Sequence, residues 1–165
     1  MAIQITRILA IAFAVLLLAH ASLSAGDRFT DNEDGTISDH ELGLMWSKID
    51  NQGNVTWQDA QRWVRFTFPT TILAQYDDWR LPTTEELASL YNDSKYYDGY
   101  ESDCGAEVKI VRQFDLSCAW VWAAEEAPVT ARLYDFRKGQ TYMDRKAKKR
   151  GYRALAVRPL GPNKK

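Results

Sequence analysis

Histidine and cysteine are scarce in this sequence, with two of each among 165 residues. His20 directly follows the apolar N-terminal run, so only His40 is left for the rest of the chain. A metal site built from several histidines is therefore excluded. A Ser–His–Asp triad would have to use His40, which lies between two acids in a segment typical of a turn. We expect His40 to be a solvated loop residue.

A long hydrophobic run occurs only near the start, from Ile8 to Ala19, after the single charge of Arg7. It is shorter than the ~20 apolar residues that span a bilayer, and small residues follow it. The pattern predicts a signal peptide over residues 1–25, cleaved near Ala25 or, as an earlier option, near Ala21. The alternative is an uncleaved N-terminal anchor. Export to the bacterial periplasm or the extracellular space follows from the first interpretation.

The remainder has the length of one domain, which we place at residues 26–160, followed by a short basic tail at 161–165. Its two cysteines, Cys104 and Cys118, are expected to form a disulfide, as paired thiols do in exported proteins. The bridge would close a loop of about 15 residues, worth ~3 kcal/mol of stability in the chain-entropy account. A catalytic or metal-binding pair is the alternative, although such pairs usually lie closer in sequence.

The first segment of the domain, "DRFTDNEDGTISDHELGLMW", predicts short strands separated by turns. Asp34–Gly35 is a hairpin signal between two runs that favour strands. The acidic side chains of this segment make calcium a candidate cofactor. An EF-hand loop needs Asp five residues before its glycine, but Thr30 occupies that position. A polar hairpin is the first interpretation, and a calcium loop of another type stays open.

Two amphipathic helices of about ten residues each are predicted from the periodicity. Thr56 would cap the first, and Thr83 with Glu86 forms a capping box for the second. Their apolar stripes are Trp57, Ala60, Trp63 and Val64 in the first, and Leu87, Leu90 and Tyr91 in the second. In "YDDWRLPTTEEL", just before the second helix, Arg80 is expected to form an ion pair whose partner the sequence does not identify.

Residues 92–116 show no clear periodicity and predict a long ordered loop pinned by the disulfide, of a kind that is often functional. Strand patterns return at 119–125 and 131–136, followed by "QTYM" and by an alternating "YRALAVRPL". The order is a hairpin, two helices, a long loop and a terminal antiparallel sheet. This order predicts an α+β fold in which two amphipathic helices pack on one side of a curved antiparallel sheet.

Four stretches together, "RFTDNEDGTISDHELGLMW", "TWQDAQRWV", "DWRLPTTEELASLY" and "YDFRKGQ…YRALAVRPL", resemble the Lcl C-terminal (DUF1566) domain family, which is named after a collagen-like adhesin. The resemblance implies the C-type-lectin-like fold that this family shares with formylglycine-generating, sulfatase-modifying domains. The adhesin relative is thought to bind sulfated polysaccharide. The sulfatase-modifying branch uses a close cysteine pair near its C-terminus with copper. This chain lacks that pair, so formylglycine-generating activity is not expected.

Charge is divided unevenly along the chain. Residues 26–131 contain 8 basic and 20 acidic side chains, whereas residues 132–165 contain 12 basic and 2 acidic ones. The densest basic segment consists of Arg145, Lys146, Lys148, Lys149, Arg150 and Arg153. Such a cluster predicts binding of a sulfated or otherwise anionic glycan. The alternative is an ordinary solvated surface whose charges neutralise the acidic half, with weak pairs.

These features predict an exported, non-enzymatic binding domain with no cofactor. The basic segment is the first candidate site, and the aromatic loop with Tyr96, Tyr97 and Tyr100 is the second, because tyrosine rings stack on sugars or on a protein partner. No recognised nucleic-acid module occurs. A structural or protein-interaction role in the cell envelope is the alternative. A glycan-cleaving enzyme would need two carboxylates across a cleft, for which the candidates are Asp77–Asp78, Glu85–Glu86 and Glu125–Glu126.

Overall fold

The structure, a computed structural model, describes residues 27–73 and 76–161. The predicted signal peptide and nearly all of the predicted basic tail lie outside these ranges. No helix in the described ranges is both long and apolar enough to cross a membrane.

The N-terminal hairpin belongs to a four-stranded antiparallel sheet that the C-terminal strand completes. The strands are β1 (Phe29–Asp31), β2 (Thr36–Asp39), β3 (Leu44–Ser47) and β10 (Val157–Pro159), in the order β1-β2-β3-β10. The turn between β1 and β2 forms as predicted. Gly35 adopts a φ of 90°, and the Asp34 carboxylate accepts the Thr36 amide at 3.0 Å.

A second four-stranded sheet carries the strands of the C-terminal half. It consists of β6 (Trp120–Glu126), β7 (Thr130–Asp135), β8 (Gln140–Arg145) and β9 (Tyr152–Arg153), in the order β8-β7-β6-β9. The expectation of a single terminal antiparallel sheet is wrong in two respects. First, β9 pairs with β6 in parallel. Second, "YRALAVRPL" is not one alternating strand, because it passes from the second sheet to the first and residues 152–157 are all buried between them.

Both predicted helices are present but shorter than expected. The first, α1 (Trp57–Arg62), is capped by Thr56 and continues as a π-helical turn (Trp63–Thr67) and a 3-10 turn (Phe68–Thr70). The second, α2 (Thr84–Ala88), begins with the predicted capping box of Thr83 and Glu86. It ends after five residues in tighter i→i+3 bonds from the Leu90 and Tyr91 amides.

The segment over residues 92–116 is not purely loop. It contains a small hairpin of β4 (Tyr100–Glu101) and β5 (Glu107–Val108). The predicted disulfide joins Cys104 to Cys118, with their Cα atoms 5.4 Å apart. The α+β class and the disulfide are thus confirmed: the described residues form few helices, curled sheets that are antiparallel except for the pairing of β9, and one disulfide.

Candidate functional site

A cleft with a volume of about 650 Å³ lies on the predicted aromatic loop. We call it the tyrosine cleft. Its lining residues are Tyr96, Tyr97, Asp98, Gly99, Tyr100, Arg112, Phe114 and Asp115. The structure therefore brings all three predicted tyrosines into one concave surface. Three lining residues that the sequence did not connect with them, Arg112, Phe114 and Asp115, follow the β4–β5 hairpin.

Short-range constraints hold the walls of the tyrosine cleft in place. Gly99 has a φ of 84°, and a Cβ on it would lie 2.4 Å from the Val108 carbonyl oxygen, so only glycine fits there. The Cys104 amide donates to the Ser117 carbonyl at 3.2 Å beside the disulfide. On the floor, the Phe114 ring packs edge-on against Trp46 at 6.0 Å. The loop is thereby fastened to the core at both ends.

The three tyrosines differ in what they offer a ligand. The Tyr100 hydroxyl accepts the Leu116 amide at 2.6 Å and donates to the Leu116 carbonyl at 3.2 Å. Burial raises the pKa of Tyr100 to about 12, so it stays protonated and acts as a structural anchor. Tyr96 is 84% exposed. Tyr97 is half-buried, and the Arg112 guanidinium lies 5.1 Å from its ring centroid.

Acidic groups dominate the rim of the tyrosine cleft. Asp98 and Asp115 are exposed, as is Arg112. A neighbouring hollow of about 420 Å³ shares Asp98 with the main cleft and adds Glu101 and Glu107. Carboxylates and one guanidinium around aromatic rings provide hydrogen-bond partners for hydroxyl groups. The same carboxylates repel a polyanion.

Part of the basic segment forms contacts within the fold, and Arg153 is not a surface residue. Arg153 is only 6% exposed. Its Nε donates to Ser117 Oγ at 2.6 Å, its Nη1 donates to Asn54 Oδ1 at 2.7 Å, and Asp50 lies at 3.7 Å. A guanidinium enclosed in this way is unavailable to an external ligand.

Two further basic residues are engaged within the fold. The side chain of Lys146 is only 12% exposed; it pairs with Glu126, and its ammonium lies 4.8 Å from the Trp57 ring centroid. Lys148 lies 3.8 Å from Asp144. Within residues 27–73 and 76–161, Arg145, Lys149 and Arg150 form no salt bridge, although Arg150 helps to lower the pKa of Asp144. We call residues 145–150 the basic turn.

A comparison with protein families finds a match over most of the chain. The family model described as the Lcl C-terminal domain matches residues 35–158. The chain belongs to the Lcl C-terminal domain family. The match begins at the β1–β2 turn and ends in β10, so this Lcl C-terminal domain includes both the tyrosine cleft and the basic turn. A comparison with curated proteins finds no match.

Each candidate carboxylate pair of this Lcl C-terminal domain has at least one member with a structural partner. Glu86 binds the Thr83 amide and also accepts two bonds from Arg80, at 2.7 and 2.8 Å, which identifies the expected ion-pair partner of Arg80. Its neighbour Glu85 is exposed on the first turn of α2. Burial by itself would raise the pKa of Glu86, but Arg80 and the Thr83 amide lower it.

The other candidate carboxylates near the start of α2 also have partners within the fold. Glu125 accepts the Thr84 amide at 2.8 Å and the Thr84 hydroxyl at 2.7 Å. Asp78 accepts a bond from Arg158 at 2.6 Å, and Glu126 pairs with Lys146. These carboxylates do not line the tyrosine cleft.

The acids of the β1–β2 turn were the calcium candidates. Asp31 binds Lys48 at 2.5 Å and the Glu33 amide at 3.0 Å, and Asp34 binds the turn backbone. In the described part of the chain, no group of three or more His, Cys, Asp and Glu side chains has a metal-binding arrangement. His40 lies in the loop, as predicted, and its Nε2 contacts the Thr30 hydroxyl at 2.9 Å.

A buried polar network surrounds Asp50, and the sequence did not predict it. The Asp50 carboxylate is 1% exposed and accepts the Ser117 amide, the Ser117 hydroxyl and the Gln52 amide at 2.7–2.8 Å. Arg153 completes the network. Burial raises the pKa of Asp50, against the opposing effect of these bonds. The network joins the segment before α1, the disulfide and β9.

Proposed function

We propose that this Lcl C-terminal domain is an exported, non-catalytic module that binds a neutral glycan in the tyrosine cleft. The observation that carries the proposal is the cleft of about 650 Å³ itself, in which the exposed Tyr96 and the half-buried Tyr97 lie beside carboxylates and a guanidinium. Export is supported by the N-terminal sequence pattern and by the disulfide. A C-type-lectin-like arrangement, which the family resemblance implies, is part of the same proposal.

The chemistry of the cleft favours sugars over other ligands. The volume lies in the range of small-molecule sites, ~300–1,000 Å³. Tyr96 and Tyr97 offer ring faces that can pack against the C–H face of a pyranose. Asp98, Asp115 and Arg112 supply the planar acceptors and donors that neighbouring hydroxyls require. The acidic rim selects for an uncharged sugar, because a sulfate or uronate would face two carboxylates.

Removing the two accessible rings tests this assignment. The double variant Tyr96→Ala/Tyr97→Ala is expected to lose about 1–3 kcal/mol of binding free energy for neutral oligosaccharides, because each ring contributes a stacking surface. Affinities would be measured by glycan array followed by calorimetry with the glycans that bind. Phe66→Ala, which truncates an aromatic side chain that is 69% exposed outside the cleft, is the matched control.

We expect no cofactor to be involved, so binding should persist in EDTA. Equal affinities of the wild type and the double variant would contradict the cleft as the site. Absence of any neutral-glycan binding would favour the structural or protein-interaction role instead. Release of shortened glycans from the array would contradict the non-catalytic assignment.

A second candidate function, polyanion binding, rests on the three cations of the basic turn that form no salt bridge in the described residues. Arg145→Ala/Lys149→Ala/Arg150→Ala is expected to elute from heparin resin at lower salt, with the slope of log affinity against log salt reduced by about two to three. The control is Arg62→Ala/Arg65→Ala/Lys95→Ala, which removes the same charge from other exposed positions. Identical elution of both variants would show that net charge, rather than this turn, causes retention.

A further inference from the structure

The second sheet ends in an unusually open edge strand. β8 is six residues long and lies at the end of the order β8-β7-β6-β9. It pairs with β7 in continuous register from Gln140 to Arg145 without a bulge. Every residue of β8 is exposed or partly exposed. Protective features common on edges, such as proline, lysine or a bulge, are absent from this strand.

The register decides which backbone groups of β8 point outward. The Lys146 amide donates to the Val129 carbonyl at 3.0 Å, so this pair is hydrogen-bonded. Antiparallel pairs alternate between hydrogen-bonded and non-hydrogen-bonded, so Thr141, Met143 and Arg145 turn their N–H and C=O groups away from β7. Within residues 27–73 and 76–161, no backbone hydrogen bond joins β8 to any strand other than β7.

The outward groups of Arg145 are satisfied within the chain, unlike those of the other two residues. The Arg145 amide donates to Asp144 Oδ1 at 2.7 Å, and its carbonyl accepts the Lys148 amide at 2.9 Å. The open part of the edge therefore comprises the N–H and C=O groups of Thr141 and Met143. These four groups match the pairing capacity of a short extended peptide.

Side chains make this edge apolar at its centre and basic at its ends. Met143 is 56% exposed, and on the opposite face the Tyr142 ring packs edge-on against Trp120, with the ring centroids 4.9 Å apart. Lys138 precedes β8 and the basic turn follows it, while exposed Arg132 lies directly across from Met143 on β7. The nearby acids are engaged: Asp135 pairs with Arg137 at 2.9 Å, and Asp144 accepts a bond from Tyr152 at 2.6 Å.

We propose that the β8 edge binds an extended acidic segment of a partner protein by strand addition. Thr141 and Met143 would form the main-chain bonds, and the cations at both ends would pair with acidic residues on either side of an apolar centre. A second copy of this chain fits poorly. Antiparallel self-pairing would place Lys138 of each copy against the basic turn of the other. This surface shares no residue with the lining of the tyrosine cleft. Strand addition at β8 and glycan binding in the cleft can therefore be tested independently.

The probes are three pools of immobilised heptapeptides. The first alternates Asp or Glu with Val, Ile or Tyr, the second replaces the acids by Lys or Arg, and the third is the acidic pool with N-methylated alternate amides. The purified protein is expected to be retained only by the first pool. Met143→Pro should reduce retention about tenfold, a loss of roughly 1.4 kcal/mol, because it removes the outward N–H and leaves the peptide carbonyl that this group would bind without its partner. Proline suits this position because the Met143 N–H points away from β7.

Met143→Leu is the matched control, because it keeps the outward N–H and an apolar side chain, and it should bind like the wild type. Hydrogen exchange provides a readout that needs no variant. Without peptide, the amides of Thr141 and Met143 should exchange fast while those of Tyr142 and Asp144 are protected, and the acidic pool should slow the first pair selectively.

Equal retention by the acidic and basic pools, unchanged binding of Met143→Pro, or uniform exchange along β8 would overturn the proposal. A wild-type dimer that Met143→Pro dissociates would also overturn it, because the occupant would then be a second copy. Heparin retention should be unchanged in Met143→Pro, which separates strand addition from polyanion binding by the basic turn.

Discussion

Replacing Arg153 with methionine is expected to lower the free energy of unfolding by about 3–5 kcal/mol, the usual cost of removing one partner of a buried ion pair. Arg153 holds Ser117 Oγ and Asn54 Oδ1 and lies 3.7 Å from the buried Asp50 carboxylate. Its loss leaves that carboxylate buried without a counter-charge. Urea unfolding followed by tryptophan fluorescence would measure the change. The same substitution at exposed Arg145 is the control and should cost less than about 0.5 kcal/mol.

The pH dependence of this variant has a defined sign. Burial already raises the pKa of Asp50 in the folded protein above its unfolded value, and the loss of Arg153 removes an opposing effect and raises it further. The folded state then binds more protons than the unfolded state between the two pKa values. Stability should therefore fall as pH rises through this window and recover on acidification. Adding Asp50→Asn to Arg153→Met should restore part of the stability and remove that pH dependence.

A cost in Arg153→Met no larger than that in Arg145→Met would show that the network around Asp50 contributes little. A large cost that Asp50→Asn does not reduce would show that the packing of the Arg153 side chain matters more than its charge.

Removing the disulfide should have the second largest effect. Cys104→Ala/Cys118→Ala is expected to destabilise the protein by ~3 kcal/mol, because an unfolded loop of about 15 residues is no longer closed. Locally, the β4–β5 hairpin loses its covalent tie to the chain just before β6. Faster amide exchange over residues 100–108, together with weaker glycan binding, should accompany the loss.

The wild type in reducing buffer provides a variant-free comparison, and Ser102→Ala tests the adjacent hydrogen bond from Ser102 Oγ to Ala106 at 2.7 Å. Retained stability and unchanged exchange in the double alanine variant would contradict the role of the disulfide in holding the tyrosine cleft. Loss of stability with intact glycan binding would separate the fold contribution from the site.

Local features of the fold could be predicted because their causes lie within a few residues. The capping box of Thr83 and Glu86 and the hairpin turn at Gly35 follow from short sequence patterns, and both are present. Helix lengths were overestimated because periodicity does not reveal where α1 changes to a π-helical turn or where α2 tightens. The parallel pairing of β9 with β6 joins distant segments and leaves no local signal.

The candidate sites also combine features that depend on local sequence with features that depend on the packing of distant segments. The family, the disulfide and the tyrosine-rich loop could all be predicted, since they depend on residue types and their spacing. Which charges are exposed and which are buried depends on the tertiary packing. Arg153 looked like part of a basic surface, yet its partners Ser117 and Asn54 are 36 and 99 residues away in the chain. A cation is neutralised by whatever the fold places beside it, and that neighbour is set by the packing of distant segments.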